Sequence, residues 1–414
     1  MDMSEKTIEY ESWFVNQYLH PIQIPNKDAL YGNIAELGRS IGFFLSRKYF
    51  FFSELLRETE RLLANSVSLF EKGYFDAAFY LLRESIEVST TFVYLYDLPE
   101  EKRIREYEAW KSENARFAMQ GDMLKELQES GLSFPDFKAK MPAFFEKQRA
   151  TYKSLNKHIH KQGFSRLYIS RWRNPGKNQY GDEFRLLNEF LFLLKEVIGI
   201  AAVSRLMIDP MPILLGEEEI AYRLADVLEE PFSPPFVKKY IGDGILSQYE
   251  TTQIYIDFKK DIMAKEKLSE EVYTFVKWHI FERKDIPIIL KQAHLLSFHH
   301  WVVLEFAARY EELIEIHLYD GSLSFIMENS KGKEGLYSFS SKDFKKMRES
   351  DVKANIPYKG AFITIVRVNE CDFFLEHEYK FDTMRLIDLS NFSNRLDAKI
   401  KEIEFKVNAI YGIA

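Results

Sequence analysis

The sequence of 414 residues contains a single cysteine, Cys371. One thiol excludes an intramolecular disulfide framework and favours a reducing compartment. No apolar run approaches the roughly 20 residues that a membrane-spanning helix requires. The nearest candidate, residues 186–208, is interrupted by Lys195, Glu196 and Arg205. The N-terminus is acidic and polar, which predicts no signal peptide. We therefore expect a cytoplasmic protein that does not contact a membrane.

The sequence also lacks the common motifs for metals and nucleotides. It contains no H-E-x-x-H and no paired cysteines, which are the usual signatures of zinc sites. Gly242 and Gly244 lie close together, but they lack the lysine and the strand context of a phosphate-binding loop. We expect neither a metal nor another cofactor.

One long segment lacks acidic residues. Residues 147–181, the basic window, contain no Asp or Glu and nine basic residues: Lys147, Arg149, Lys153, Lys157, Lys161, Arg166, Arg171, Arg173 and Lys177. The whole chain carries −7 and this window carries +9, so the rest of the chain carries −16. The window also contains His158, His160 and five aromatic residues: Tyr152, Phe164, Tyr168, Trp172 and Tyr180. Clustered cations with interleaved aromatics are typical of phosphate contact and base stacking.

The pattern of apolar residues predicts a mainly α protein with two domains. After an N-terminal arm (1–32), we expect a helical bundle over 33–230 and a proline-rich linker at 231–235. An α+β domain with β-hairpins follows over 236–414. In this second domain, we predict a long helix over 287–313 and a closing helix over 390–410. The predicted hairpins pair 322–327 with 335–340 and 362–368 with 373–381.

The bundle is expected to form around one helix that begins after Gly73. Its sequence, YFDAAFYLLRESIEVSTTFVYLYDLP, places apolar residues over more than half of the helix circumference. Arg83, Glu84 and Glu87 fall in one narrow polar stripe. This pattern predicts a central helix whose few charges face a groove or a partner. A later helix, predicted over 144–159, leads into the basic window.

Over about residues 35–210, this layout resembles the HEPN-like superfamily, whose members combine a long central helix with a later helix that ends in a histidine. The resemblance implies a metal-independent endoribonuclease in which a cation and a histidine act on the RNA phosphate. Members of the superfamily leave four to six residues between the cation and the histidine. Here Arg149 is too far from His158 to fit this spacing, whereas Lys153 has the required spacing to both His158 and His160. The residues it implies for catalysis are His158, His160, Lys153, Arg149, Arg83 and Glu87.

The same resemblance implies a homodimer and a role in antiviral defence or a toxin–antitoxin module. The nucleic-acid contacts expected from the basic window are Lys157, Lys161, Arg166, Arg171, Trp172, Arg173 and Lys177. Whether the chain is an enzyme is left open by the sequence.

Three alternatives are also consistent with the residues. The basic window is equally suited to docking an acidic protein, which makes the chain a non-catalytic interaction module. The polar stripe of the central helix is also explained by an internal Arg83–Glu87 pair at i,i+4. The order His300, Asp320, Cys371 resembles the adenain- and SUMO-protease-like cysteine peptidases, which implies that these three residues form a catalytic triad.

Overall fold

The computed structural model describes residues 12–13, 19–40, 50–112, 118–168, 179–225, 227, 229–327, 340–358 and 360–411. It is mainly helical, with a mixed six-stranded sheet near its C-terminal end. The chain divides into two compact units, of which the first comprises Met1–Ala221 with Val227–Lys265 and the second comprises Tyr222–Asp226 with Glu266–Ala414. The predicted combination of a helical part and a C-terminal α+β part is thereby confirmed.

The first unit is built from helices. They are α1 (Lys27–Arg39), α2 (Phe50–Glu71), α3 (Phe75–Asp97), α4 (Glu100–Lys111), α5 (Gln120–Ser130), α6 (Phe134–Lys140), α7 (Pro142–Ile159), α8 (Gln179–Leu206), α9 (Met211–Leu214), α10 (Glu218–Ala221), α11 (Pro234–Phe236), α12 (Asp243–Tyr249) and α13 (Gln253–Met263). Helix α1 begins inside the predicted irregular arm, so the arm is shorter than its expected 32 residues.

Helix α3 is the predicted central helix. Most of its circumference is buried, including Leu82, Ile86 and Phe92, because it packs against α2, α5, α7 and α8. An apolar helix surrounded by neighbours on several sides is typical of the centre of a bundle.

The first unit extends past the predicted linker. Pro234 and Pro235 begin helix α11, where the side chain of Ser233 accepts a hydrogen bond from the backbone N–H of Phe236. Proline is favoured in the first turn of a helix because its missing N–H has no partner there. The aromatic residues that follow are buried, and Tyr249 donates from its hydroxyl to the carbonyl of Leu206 in α8 (2.8 Å). The boundary between the two units therefore lies at Lys265 and not at the predicted linker, residues 231–235.

The second unit contains a sheet flanked by helices. Its helices are α14 (Glu270–Trp278), α15 (Ile286–Ile289), α16 (Phe298–Arg309), α17 (Ser341–Glu349) and α18 (Thr383–Tyr411). Its strands are β1 (Ile280–Phe281), β2 (Leu313–Leu318), β3 (Leu323–Met327), β4 (Ile356–Tyr358), β5 (Ala361–Val368) and β6 (Cys371–His377). The strand order is β1-β3-β2-β6-β5-β4, with β1 parallel to β3 and the other pairs antiparallel.

The β5–β6 hairpin forms as predicted, with Asn369 and Glu370 both at positive φ in the turn. The expected helix over 287–313 was wrong. Ser297 caps a new helix, α16, and the chain leaves that helix to enter strand β2. Helix α18 begins at Thr383, before the predicted start at residue 390. Of the predicted strand at 335–340, residues 335–339 lie outside the described residues.

Candidate polyanion-binding face

Helix α7 has one buried and one charged side. Pro142 occupies its first turn, and Phe144, Leu155 and His158 are buried against the bundle. On the opposite side, the side chains of Arg149, Lys153, Lys157 and His160 are exposed. These four residues, the basic face of α7, follow one another at intervals of four, four and three residues. Such intervals place side chains in a single row along a helix.

The basic face of α7 keeps its charge. Within the described part of the chain, none of Arg149, Lys153 and Lys157 lies within ion-pair distance of a carboxylate. Glu146, also exposed, is the acidic residue that precedes Arg149 by one turn. Burial and the nearby charge of Arg149 lower the pKa of Lys138, whose Nζ lies over the ring of Phe145 (4.1 Å). The effect of Arg149 on this pKa indicates that Lys138 lies beside the row.

Sequence reasoning missed Lys138 because it precedes the acid-free window. Asp136 stands close to it in the sequence, but Asp136 pairs with Lys140 at 2.8 Å. In the sequence, the i,i+4 spacing of Asp136 and Lys140 indicates that Asp136 pairs with Lys140 and does not neutralise Lys138.

Three other cations of the basic window are neutralised by carboxylates from elsewhere in the chain. Lys147 pairs with Glu196 (3.1 Å), Arg166 pairs with Glu189 (3.3 Å), and Lys161 pairs with Asp76. Lys161 and Arg166 were predicted to contact nucleic acid. Their ion pairs instead connect the basic window to α3 and α8, which reduces the positive charge available to a ligand. Arg171, Trp172, Arg173 and Lys177 lie outside the described residues.

His158 has an internal structural role. Its imidazole is 2% exposed, with Nδ1 at 2.7 Å from the hydroxyl of Tyr168 and Nε2 at 2.8 Å from the carboxylate of Glu189. The ring also stacks on Phe79, with centroids 3.9 Å apart. Both ring nitrogens are occupied, so His158 is not placed to exchange a proton with RNA. His160 ends α7 and is exposed, so the two histidines face different environments.

Arg83 and Glu87 form the internal i,i+4 pair that the central helix predicted as an alternative. Arg83 donates to Glu87 (2.8 Å) and to the hydroxyl of Tyr152 (3.2 Å), and that hydroxyl donates to Glu87 (2.7 Å). This three-residue network connects α3 to α7. It orients α7 so that its basic face remains turned away from the bundle.

Two residues of the predicted peptidase triad line one cleft. Asp320 and Cys371 border a cavity of about 580 Å³, where Asp320 pairs with Arg348 (3.1 Å). His300 does not line this cavity, and its Nδ1 lies 2.8 Å from the hydroxyl of Ser297. Burial, followed by the charge of Asp372, raises the pKa of the Cys371 thiol. A nucleophilic cysteine requires the opposite shift, so this geometry does not support a peptidase.

Comparisons with protein-family models, curated proteins and solved structures find no match. Among the described residues, no helix is both long enough and apolar enough to cross a membrane.

Proposed function

We propose that the protein binds the phosphate backbone of RNA through the basic face of α7, without cleaving it. The observation that carries the proposal is the row formed by Arg149, Lys153, Lys157 and His160. Its members are exposed, and its Arg and Lys members have no carboxylate partner within the described residues, whereas neighbouring cations of the same window are paired.

The spacing of the row suits a repeating anion. A helix rises 1.5 Å per residue, so successive members lie about 6 Å apart along the axis and the row spans about 16 Å. A nucleic acid presents phosphates at short, regular intervals, and each contact with a cation releases a condensed counterion. Several evenly spaced cations therefore gain more affinity from a polyanion than from a single small anion.

The two aromatic residues of the window whose side chains the structure describes, Tyr152 and Tyr168, favour contact with the backbone over contact with bases. Tyr152 is hydrogen-bonded to Glu87, and the hydroxyl of Tyr168 bonds His158. Stacking on bases requires exposed rings. We therefore expect little dependence on the base sequence.

The proposal includes binding but not cleavage. Metal-independent cleavage needs a histidine whose ring nitrogen can reach the substrate; His158 is enclosed by Tyr168 and Glu189, and we assign the exposed His160 to binding. The proposed likeness of the first unit to HEPN-like domains is supported by its long central helix α3 and by α7, which ends beside a histidine. In this proposal, the helical bundle holds α7 in place, and the basic face of α7 binds RNA.

The experiment compares the affinity of labelled single-stranded RNA for three forms of the full chain. One variant carries Arg149→Gln, Lys153→Gln and Lys157→Gln, and Gln preserves helix propensity. The matched control carries Lys342→Gln, Lys345→Gln and Lys346→Gln, which removes the same charge from the exposed side of α17. At low salt, we expect the α7 variant to lose about 10- to 100-fold in affinity and the control to lose less than about 3-fold.

Two results would contradict the proposal. One is an absence of RNA affinity in the wild-type chain at low salt, which is what docking of an acidic protein on this face predicts. The other is an equal loss in both variants, which would indicate non-specific attraction to overall charge.

A further inference from the structure

A polar cluster is buried in the second unit, on the face of the sheet that α17 covers. Glu315 and His317 lie on β2 and Glu376 lies on the neighbouring strand β6. Glu315 is 3% exposed and His317 is fully buried, while the side chain of Glu376 is 13% exposed. Charged and polar groups are this deeply buried only at an energetic cost, so the cluster needs a physical explanation.

An irregularity in the sheet brings the two glutamates together. The pairing of β2 with β6 shifts between Leu313 and Glu315, so Glu315 stands directly opposite Glu376. A β-bulge of this kind redirects side chains and is frequent beside functional sites. Here it lets Leu313 point into the apolar core while Glu315 and His317 point to the other face. Like charges directly opposite each other destabilise a sheet unless a cation lies between them.

The ligand atoms are already close to one another. His317 Nε2 lies 3.0 Å from Glu376 Oε2, and His317 Nδ1 lies 3.5 Å from Glu315 Oε1. One donor atom from each of the three residues can be chosen such that all lie within 4.8 Å of one another. Metal bonds of about 2.1 Å place neighbouring donor atoms roughly 3.0–3.5 Å apart. Small side-chain rotations are enough to reach that spacing.

Among the described residues, no Lys or Arg pairs with Glu315 or Glu376. The groups near the cluster include the ring of Phe344 on α17, 5.0 Å from the ring of His317, and the hydroxyl of Ser324 on β3. Burial and the charge of Glu376 raise the pKa of Glu315 to about 8. Burial raises the pKa of Tyr358, with smaller contributions from Asp343 and then from the same two glutamates. The field in this region is negative.

Ser324 orients the imidazole. Its Oγ lies 2.8 Å from His317 Nδ1. With Nδ1 bonded to Ser324, the imidazole presents Nε2 to Glu376 at 3.0 Å. A hydrogen bond on the other ring nitrogen is also the usual support for a metal-bound histidine.

We propose that Glu315, His317 and Glu376 bind one divalent transition-metal ion of the zinc, manganese or iron(II) class. One imidazole nitrogen and two carboxylates are ligands for these borderline ions, whereas calcium and magnesium prefer oxygen ligands alone. A doubly charged ion balances the two carboxylates, and three protein ligands leave a coordination position open. The site lies in the second unit and does not depend on the proposed RNA-binding face.

The sequence predicted no metal site for an understandable reason. Glu315 and His317 form an alternating Glu-x-His on a strand, but Glu376 follows 59 residues after His317 and approaches it only through the pairing of β2 with β6. No contiguous motif joins the three residues.

The test uses the full chain after removal of metal with a chelator. Zn²⁺ or Mn²⁺ is added, bound ion is measured by mass spectrometry of the dialysed protein, and thermal unfolding is recorded with and without ion. We expect one equivalent of ion per chain and a rise in Tm of about 5 °C or more at saturation. Mg²⁺ at the same concentration is expected to leave Tm unchanged.

Two variants locate the ion. Glu315→Gln keeps the volume of the side chain and relieves the repulsion with Glu376, so its metal-free form is expected to be at least as stable as the wild-type chain. Its affinity for Zn²⁺ is expected to fall by about 100-fold, with loss of the rise in Tm. Glu378→Gln, an exposed carboxylate in the same part of the chain, is expected to behave as wild type.

The proposal is overturned if the stripped wild-type chain takes up no Zn²⁺ or Mn²⁺, or if Glu315→Gln binds as tightly as wild type. Loss of binding in Glu378→Gln would also overturn the assignment. Glu376→Gln provides the same comparison if Glu315→Gln lowers the stability of the metal-free chain.

Discussion

At the residue scale, the two histidines of α7 have opposite environments. His158 is enclosed by Phe79, Tyr168 and Glu189, whereas His160, two residues later, is exposed. Two residues along a helix correspond to a rotation of about 200°, which is enough to move a side chain from the core to the surface. The sequence shows the pair but not which member faces inward.

We predict that His158→Ala lowers the free energy of unfolding by about 2–4 kcal/mol, because it removes a buried ring and two hydrogen bonds. His160→Ala is expected to change it by less than about 0.5 kcal/mol. Urea unfolding followed by circular dichroism measures both. Equal effects of the two substitutions would show that His158 is not the buried structural residue described above.

The candidate site was predictable at this scale only in part. The spacing of Arg149, Lys153 and Lys157 on a helix could be read from the sequence. The neutralisation of Lys161 and Arg166 could not, because Asp76 and Glu189 belong to α3 and α8 and meet the window only in the folded chain. The i,i+4 pair of Arg83 and Glu87 was predictable because both partners lie on one helix.

At the scale of elements, α8 packs closely on the short π-helix Val237–Ile241. A Cβ atom at Gly199 would overlap the backbone carbonyl of Tyr240, and Lys147 of α7 donates to the same carbonyl (3.3 Å). Glycine is therefore needed at this crossing for close backbone approach. The contact also connects α7 to the part of the chain that follows the prolines.

Gly199→Ala is expected to destabilise the protein by about 1–3 kcal/mol, because the methyl group has no space and the backbone must move. Gly121→Ala is the matched control. It lies in α5 with no atom within 4 Å of the added Cβ, so better helix propensity is expected to stabilise it by up to about 1 kcal/mol. Denaturant unfolding of both variants measures the difference. A neutral Gly199→Ala would contradict the close packing of α8.

Long elements with a clear period were predictable, whereas a short strand was not. Helices α3 and α7 carry strong helical patterns. Strand β2 alternates over only four residues, with Ile316 and Leu318 in the apolar core and Glu315 and His317 buried on the other face. The predicted helix over 287–313 reached only the first residue of β2, and no strand was predicted over 314–318, because so short a run carries a weak periodic signal.

At the scale of the whole molecule, the division into two units depends on aromatic residues after the prolines. Phe236, Tyr240 and Tyr249 are buried in the first unit, so a cut at the proline-rich segment would remove part of its core. Prolines were read as a linker because they disfavour helix interiors, but they are equally suited to a first helical turn.

We therefore predict that a fragment of residues 1–265 unfolds in a single cooperative transition. A fragment of residues 1–235 is expected to have a Tm lower by at least about 10 °C, because it lacks buried aromatic side chains that contribute several kcal/mol. Thermal unfolding followed by circular dichroism compares the two fragments. Similar Tm values would place the boundary at the prolines after all.

The net negative charge of the whole molecule opposes RNA binding. A chain of net charge −7 should repel RNA unless cations are concentrated on one surface. The affinity of the wild-type chain for single-stranded RNA, measured across a series of salt concentrations, tests this most directly. The slope of log affinity against log salt is predicted to become shallower by about 2 when Arg149, Lys153 and Lys157 are replaced by Gln, because three phosphate contacts are lost. An unchanged slope in that variant would contradict the account.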